Sequence, residues 1–87
     1  MKVRAADISE QFDLLIAGRR SREEIEMWAV ARMHAEDART LEYEPPEDEM
    51  RLWDAIKYLG GVGLKVAPDE YLYCEEDFIK YRRAAQL

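Results

Sequence analysis

Apolar residues recur at helical spacing in several stretches of this chain. Ile8, Phe12, Leu15 and Ile16 fall at i, i+4, i+7 and i+8 and form one stripe of a helix that starts near Asp7 or Ser9. Gly18 follows the last periodic residue and is well placed as a left-handed C-cap, with Arg19 and Arg20 beside the negative end of the helix. Ser21 and Glu24 have capping-box spacing, so a second helix begins at once and runs to about Ala38. Its apolar arc is Met27, Trp28, Ala31, Ala35 and Ala38, with Ile25 at the edge. Val30 and Met33 lie off that arc, which predicts a central helix covered on more than one side.

Arg39 to Pro46 reads as a connection, because Glu44-Pro45-Pro46 cannot easily continue a helix. Pro46 suits the first turn of a third helix, where Glu47, Asp48 and Glu49 meet the positive end of the dipole. Leu52, Trp53, Ile56 and Leu59 give its buried stripe, and Gly60-Gly61 ends it. Val62, Leu64 and Val66 then alternate with Gly63 and Lys65, and Pro68-Asp69 marks a turn before Tyr71-Leu72-Tyr73, the pattern of a β-hairpin. Glu75, Glu76 and Asp77 open a fourth helix with Phe78, Tyr81, Arg82 and Ala85 on one side and Ile79 beside them. The expected fold is mainly α: four helices in a compact bundle, with a small β-hairpin between helices three and four.

The 87 residues are 48% hydrophobic and 37% charged, too apolar for disorder and sized for a single domain over residues 1–87. The longest apolar run, Met27 to Ala31, has five residues, far short of a membrane span or a secretory signal, so a cytoplasmic location is expected. The single cysteine, Cys74, permits no internal disulfide and agrees with a reducing compartment.

Charge changes the picture more. Residues 36–54 carry eight acids against Arg39 and Arg51, which equals the net charge of −6 of the whole chain; residues 1–35 hold six acids and six bases, and residues 55–87 hold five of each. Such a belt suggests a surface that meets something basic. Phosphate contacts need clustered Lys and Arg, and the clearest cluster, Arg19, Arg20 and Arg22, is answered at once by Glu23, Glu24 and Glu26. Nucleic acid is therefore not an expected partner.

The catalytic inventory is thin: two serines, one threonine, one cysteine, one histidine and no asparagine. Cys74 and His34 are the only thiol–imidazole combination, and Glu75 and Glu76 beside the thiol oppose its ionisation. His34 and Asp37 share a helix face but lack further metal ligands of the right kind. Gly60-Gly61-Val62-Gly63 follows a helix and precedes none, so it reads as a helix stop and not as a phosphate loop. The expectation is a non-enzymatic protein without cofactor or metal.

Within the acidic belt, acids interleave with apolar anchors. Glu36, Asp37, Leu41, Glu42, Tyr43, Glu44, Glu47, Asp48 and Glu49 form the candidate partner-binding surface, weighed against plain solvated surface. The string Phe12-Asp-Leu-Leu-Ile-Ala-Gly-Arg-Arg-Ser-Arg-Glu-Glu-Ile25 resembles the first helix–turn–helix of small acidic bacterial toxin-immunity proteins of the colicin D immunity type, over 14 of 87 residues. That resemblance implies an inhibitor that covers the active site of a basic toxin nuclease. The alternative is a small regulatory or adaptor module, homodimeric in one version, docking through Trp28, Trp53 or the strand with Tyr71 and Tyr73. An enzyme built on carboxylates and His34 is the third reading.

Overall fold

Local capping chemistry sets the ends of the helices in the computed structural model, which describes residues 1–87. A strand β1 (Lys2–Arg4) leads into α1 (Ala5–Ile16), where the Asp7 carboxylate accepts from the Arg4 N–H at 2.9 Å. Helix α2 (Arg22–Asp37) opens with the expected box: Ser21 Oγ accepts from the Glu24 N–H at 3.1 Å, and Glu24 accepts from the Ser21 N–H at 3.0 Å. Strand β2 (Glu42–Glu44) and a 3-10 turn (Pro46–Asp48) precede α3 (Glu49–Leu59). Short strands β3 (Lys65–Ala67) and β4 (Glu70–Tyr71) lie between α3 and α4 (Glu75–Ala84).

Three helices end in the same way. Gly18 has φ of 70°, its N–H donates to Leu15 O, and the Arg19 N–H donates to Leu14 O, the two bonds of a Schellman stop. Helix α2 repeats this at Arg39 and Thr40, and α4 repeats it at Gln86 and Leu87. Arg39 and Gln86 therefore hold φ of 57° and 59°, a left-handed conformation that costs any residue with a Cβ.

The chain is mainly helical with four helices, as the periodicity implied, and it carries two small sheets. One core collects Ile8, Phe12 and Leu15 from α1, Ile25 and Ala29 from α2, Leu52, Ala55, Ile56 and Leu59 from α3, and Phe78 from α4. The apolar arc expected on α2 is displaced. Met27 is 73% exposed, and Ala31 and Ala38 are exposed with it, while Ile25, Ala29 and Ala35 point inward. Small residues at 29 and 35 allow α3 to pack close, so Met27 is left on the far side.

The connection after α2 is not plain loop. Its residues Glu42–Glu44 pair in parallel with β1, in the register Lys2↔Glu42, Val3↔Tyr43 and Arg4↔Glu44. Alternation then turns Val3 and Tyr43 into the core and the charged residues outward. The second sheet pairs Lys65 with Tyr71 and Ala67 with Glu70, antiparallel with an irregularity between them. Arg22 ties it to the helices: its guanidinium donates to the Val62 and Tyr73 carbonyls and lies 4.1 Å from the Tyr71 ring centroid and 4.8 Å from that of Phe78. Beneath, Tyr58 stacks on Tyr81 at 4.0 Å. The Tyr58 hydroxyl is buried without a hydrogen-bond partner, and burial pushes its pKa up to about 12. No helix is long and apolar enough to cross a membrane.

Candidate nucleic-acid interface

The acidic belt does not form one free surface. Glu36 accepts from the Tyr43 hydroxyl at 2.9 Å. Glu44 faces Lys2 and Arg4 at 4.0 and 3.4 Å, Asp48 pairs with Arg51 at 2.9 Å, and Asp54 with Lys57 at 3.4 Å. Four of the eight acids are thus engaged within the molecule. Asp37, Glu42, Glu47 and Glu49 remain exposed without an ion-pair partner. The apolar anchors are also drawn inward. Leu41 is half-buried, and Tyr43 is only 9% exposed, so it packs the core and offers a partner little area. Burial, then the Glu36 carboxylate, keeps the Tyr43 phenol neutral well above the usual tyrosine range.

The other singled-out residues are dispersed. His34 and Asp37 are exposed on α2, and no group of three or more His, Cys, Asp or Glu side chains is arranged to hold a metal ion. Cys74 is exposed at the α4 N-cap, where its N–H donates to Asp77 at 2.8 Å. Trp28 lies half-buried under the Arg32 guanidinium at 4.0 Å, and Trp53 is half-buried 5.7 Å from the Lys57 ammonium. Tyr71 donates to Glu23 at 2.8 Å, while Tyr73 joins the aromatic cluster against Tyr58 at 5.3 Å.

The bases sort themselves by what they already hold. Arg20 donates to Gln11 at 3.2 Å, and Arg51 donates to the Ala85 and Gln86 carbonyls at 3.0 Å as well as to Asp48. Arg82 holds Asp13, Ser9 and the Leu87 carbonyl. Lys65 sits 5.2 Å from the Tyr71 ring centroid. Arg19, Arg39, Lys80 and Arg83 are exposed, with neither an ion-pair partner nor a side-chain hydrogen bond in the chain. Of these four, only Lys80 and Arg83 stand one turn apart on a single helix face.

On the other helices exposed acids persist beyond the first turn, Glu10 and Asp13 on α1, Asp37 on α2 and Asp54 on α3, whereas the exposed acids of α4, Glu75 and Glu76, lie in its first turn. Helix α4 separates its charges instead. Glu75, Glu76 and Asp77 fill its first turn, and Lys80, Arg82 and Arg83 fill its second half. In the sequence the clearest basic cluster is Arg19, Arg20 and Arg22, answered by Glu23, Glu24 and Glu26, and the run Lys80-Tyr81-Arg82-Arg83 is less conspicuous. The visible signal was the absence of any acid after Asp77.

These features define a small, acidic, mainly helical module with one helix face that bears two exposed cations lacking an ion-pair partner. The family model of the YxzC DNA-binding protein matches residues 2–83, and the chain belongs to that family. No curated protein and no solved structure matches the chain.

The family corrects three expectations. It is not a toxin-immunity family, so the resemblance over Phe12–Ile25 does not hold: an apolar helix, a glycine stop and a serine cap are general helix grammar. The immunity function and the basic toxin nuclease as partner fall with it. The exclusion of nucleic acid falls too, because net charge averages over a surface, while phosphate binding depends on where the unneutralised cations sit.

Proposed function

We propose that this protein is a small non-enzymatic regulatory module that associates with DNA, with Lys80 and Arg83 on the outward face of α4 as its phosphate contacts. The family match over residues 2–83 is the observation that carries this reading. The distribution of uncompensated bases supports the choice of helix. Backbone contacts from a few cations hold a duplex in a salt-sensitive way and carry no sequence information. A cytoplasmic location and a single domain over residues 1–87 accord with the same reading.

The test is a fluorescence anisotropy titration of a labelled duplex at several salt concentrations. Two phosphate contacts give a log–log slope of about −2. Replacing either Lys80 or Arg83 with alanine is expected to reduce the slope by about 1. A slope unchanged in the double alanine variant would refute the assignment to α4, and no binding at low salt would refute the DNA reading itself.

A further inference from the structure

The outward face of α4 is patterned to pair with itself. Glu76, Ile79, Lys80 and Arg83 follow one another at i, i+3, i+4 and i+7, one face of a helix. All four are exposed, Ile79 at 38%. Neither Glu75 nor Glu76 has a basic partner in the chain, and neither Lys80 nor Arg83 has an acidic one. The charges are segregated, acidic before Ile79 and basic after it. A shallow groove of about 530 Å³, lined by Cys74, Glu75, Glu76 and Ile79, opens at the acidic end.

From this geometry we infer that α4 packs antiparallel against the α4 of a second copy, about a two-fold axis through Ile79, and that this pairing excludes DNA. An isologous contact must be self-complementary, so each residue meets a suitable one from the other end of the patch. Turning the copy end for end about Ile79 sets its Arg83 against Glu75 and Glu76 at the mouth of the groove, while the two Lys80 side chains flank the axis. Ile79 then meets its own equivalent in the centre. A parallel arrangement would set acids against acids and bases against bases. The α2 face with Met27, Val30 and Ala31 lacks this property: it carries Glu23 and Glu26 at one end and Asp37 at the other, so an antiparallel copy would meet like charge.

The pairing buries one helix face and belongs with small, transient interfaces. It rests on the DNA reading only in its second half: Arg83 cannot serve a phosphate and the copy's carboxylates at once. Self-association would then hold the protein off DNA, and DNA would draw it apart.

Sedimentation velocity over about 10 µM to 1 mM protein tests the first half. The wild-type protein is expected to show a concentration-dependent dimer. Glu76→Arg and Arg83→Glu are each expected to weaken it at least about tenfold, and the double variant Glu76→Arg/Arg83→Glu to restore it. A monomer at every concentration, or a dimer indifferent to both single changes, overturns the pairing even if the monomer binds DNA. Adding excess duplex tests the second half, with conversion of dimer to DNA-bound monomer expected; duplex bound to an intact dimer overturns the exclusion. A dimer that obeys the charge swaps in a protein that never binds DNA supports the pairing and sinks the DNA reading alone.

Discussion

Arg22 occupies the first turn of α2, where a cation is disfavoured by the helix dipole, and yet it joins three parts of the molecule. Replacing it with methionine keeps the apolar stem and removes the guanidinium. Two charge-assisted bonds are lost, to the Val62 and Tyr73 carbonyls, at about 1.5 kcal/mol each. The contacts over Tyr71 and Phe78 account for about 0.5 kcal/mol apiece. Relief from partial desolvation of the guanidinium returns about 1 kcal/mol, which leaves a net loss of about 3 kcal/mol. Against a total of roughly 5–10 kcal/mol for a domain of this size, that is a large fraction. Thermal unfolding followed by circular dichroism should show Tm lowered by about 12–24 °C. Arg22→Lys should fall between the two, since an ammonium lacks the planar fork and stacks less well. A drop of less than about 3 °C for Arg22→Met would refute the claim that this side chain pins the β3–β4 region to the helices.

The remaining predictions are smaller. Arg39→Gly relieves the left-handed strain at the α2 stop and should raise stability by about 1 kcal/mol in urea denaturation; an unchanged or lower midpoint contradicts the strain argument. Burial holds the Tyr43, Tyr58 and Tyr81 phenols above the usual range, and the bond to Glu23 does the same for Tyr71. The folded state thus favours the neutral phenols, so their stabilisation is intact below about pH 10 and is lost as pH rises further. Ultraviolet titration should find these groups ionising late in the native protein and normally in urea. The Cys74 N–H holds the Asp77 carboxyl below its usual range, so that cap is present above about pH 4 and fades in acid; Asp77→Asn should weaken the acid dependence of unfolding.

Local grammar was legible wherever a few adjacent residues settle the outcome. Gly18 and the Ser21–Glu24 box mark the α1–α2 junction from sequence alone because each acts within one turn. The buried stripe of α3 was equally clear, since Leu52, Ile56 and Leu59 are large and unambiguous. Helix α2 was misjudged because alanine fits either side of a helix, and only its neighbours decide which alanines are covered. The β1–β2 pair was missed for a different reason: each strand has three residues, and its partner lies in a distant part of the sequence. The partial pairing of the acidic belt was hidden for the same reason, because the strand pairing brings Lys2 and Arg4 to Glu44. Which bases stay free is likewise a tertiary fact. Arg19, Arg20 and Arg22 look alike in sequence and have separate fates, one exposed, one bound to Gln11 and one bound under the hairpin carbonyls.

Strand β1 and its mate are separated in the chain by α1 and α2, so they are expected to pair only once both helices have formed. Until then Val3, fully covered in the finished molecule, stays open to solvent, while α1 and α2 can already close as a local hairpin of helices. Assembly is therefore expected to finish at the β1–β2 pair, with φ-values near zero for substitutions at Val3 and higher ones along α1 and α2. The strand pair that reaches across two helices would be the last one locked.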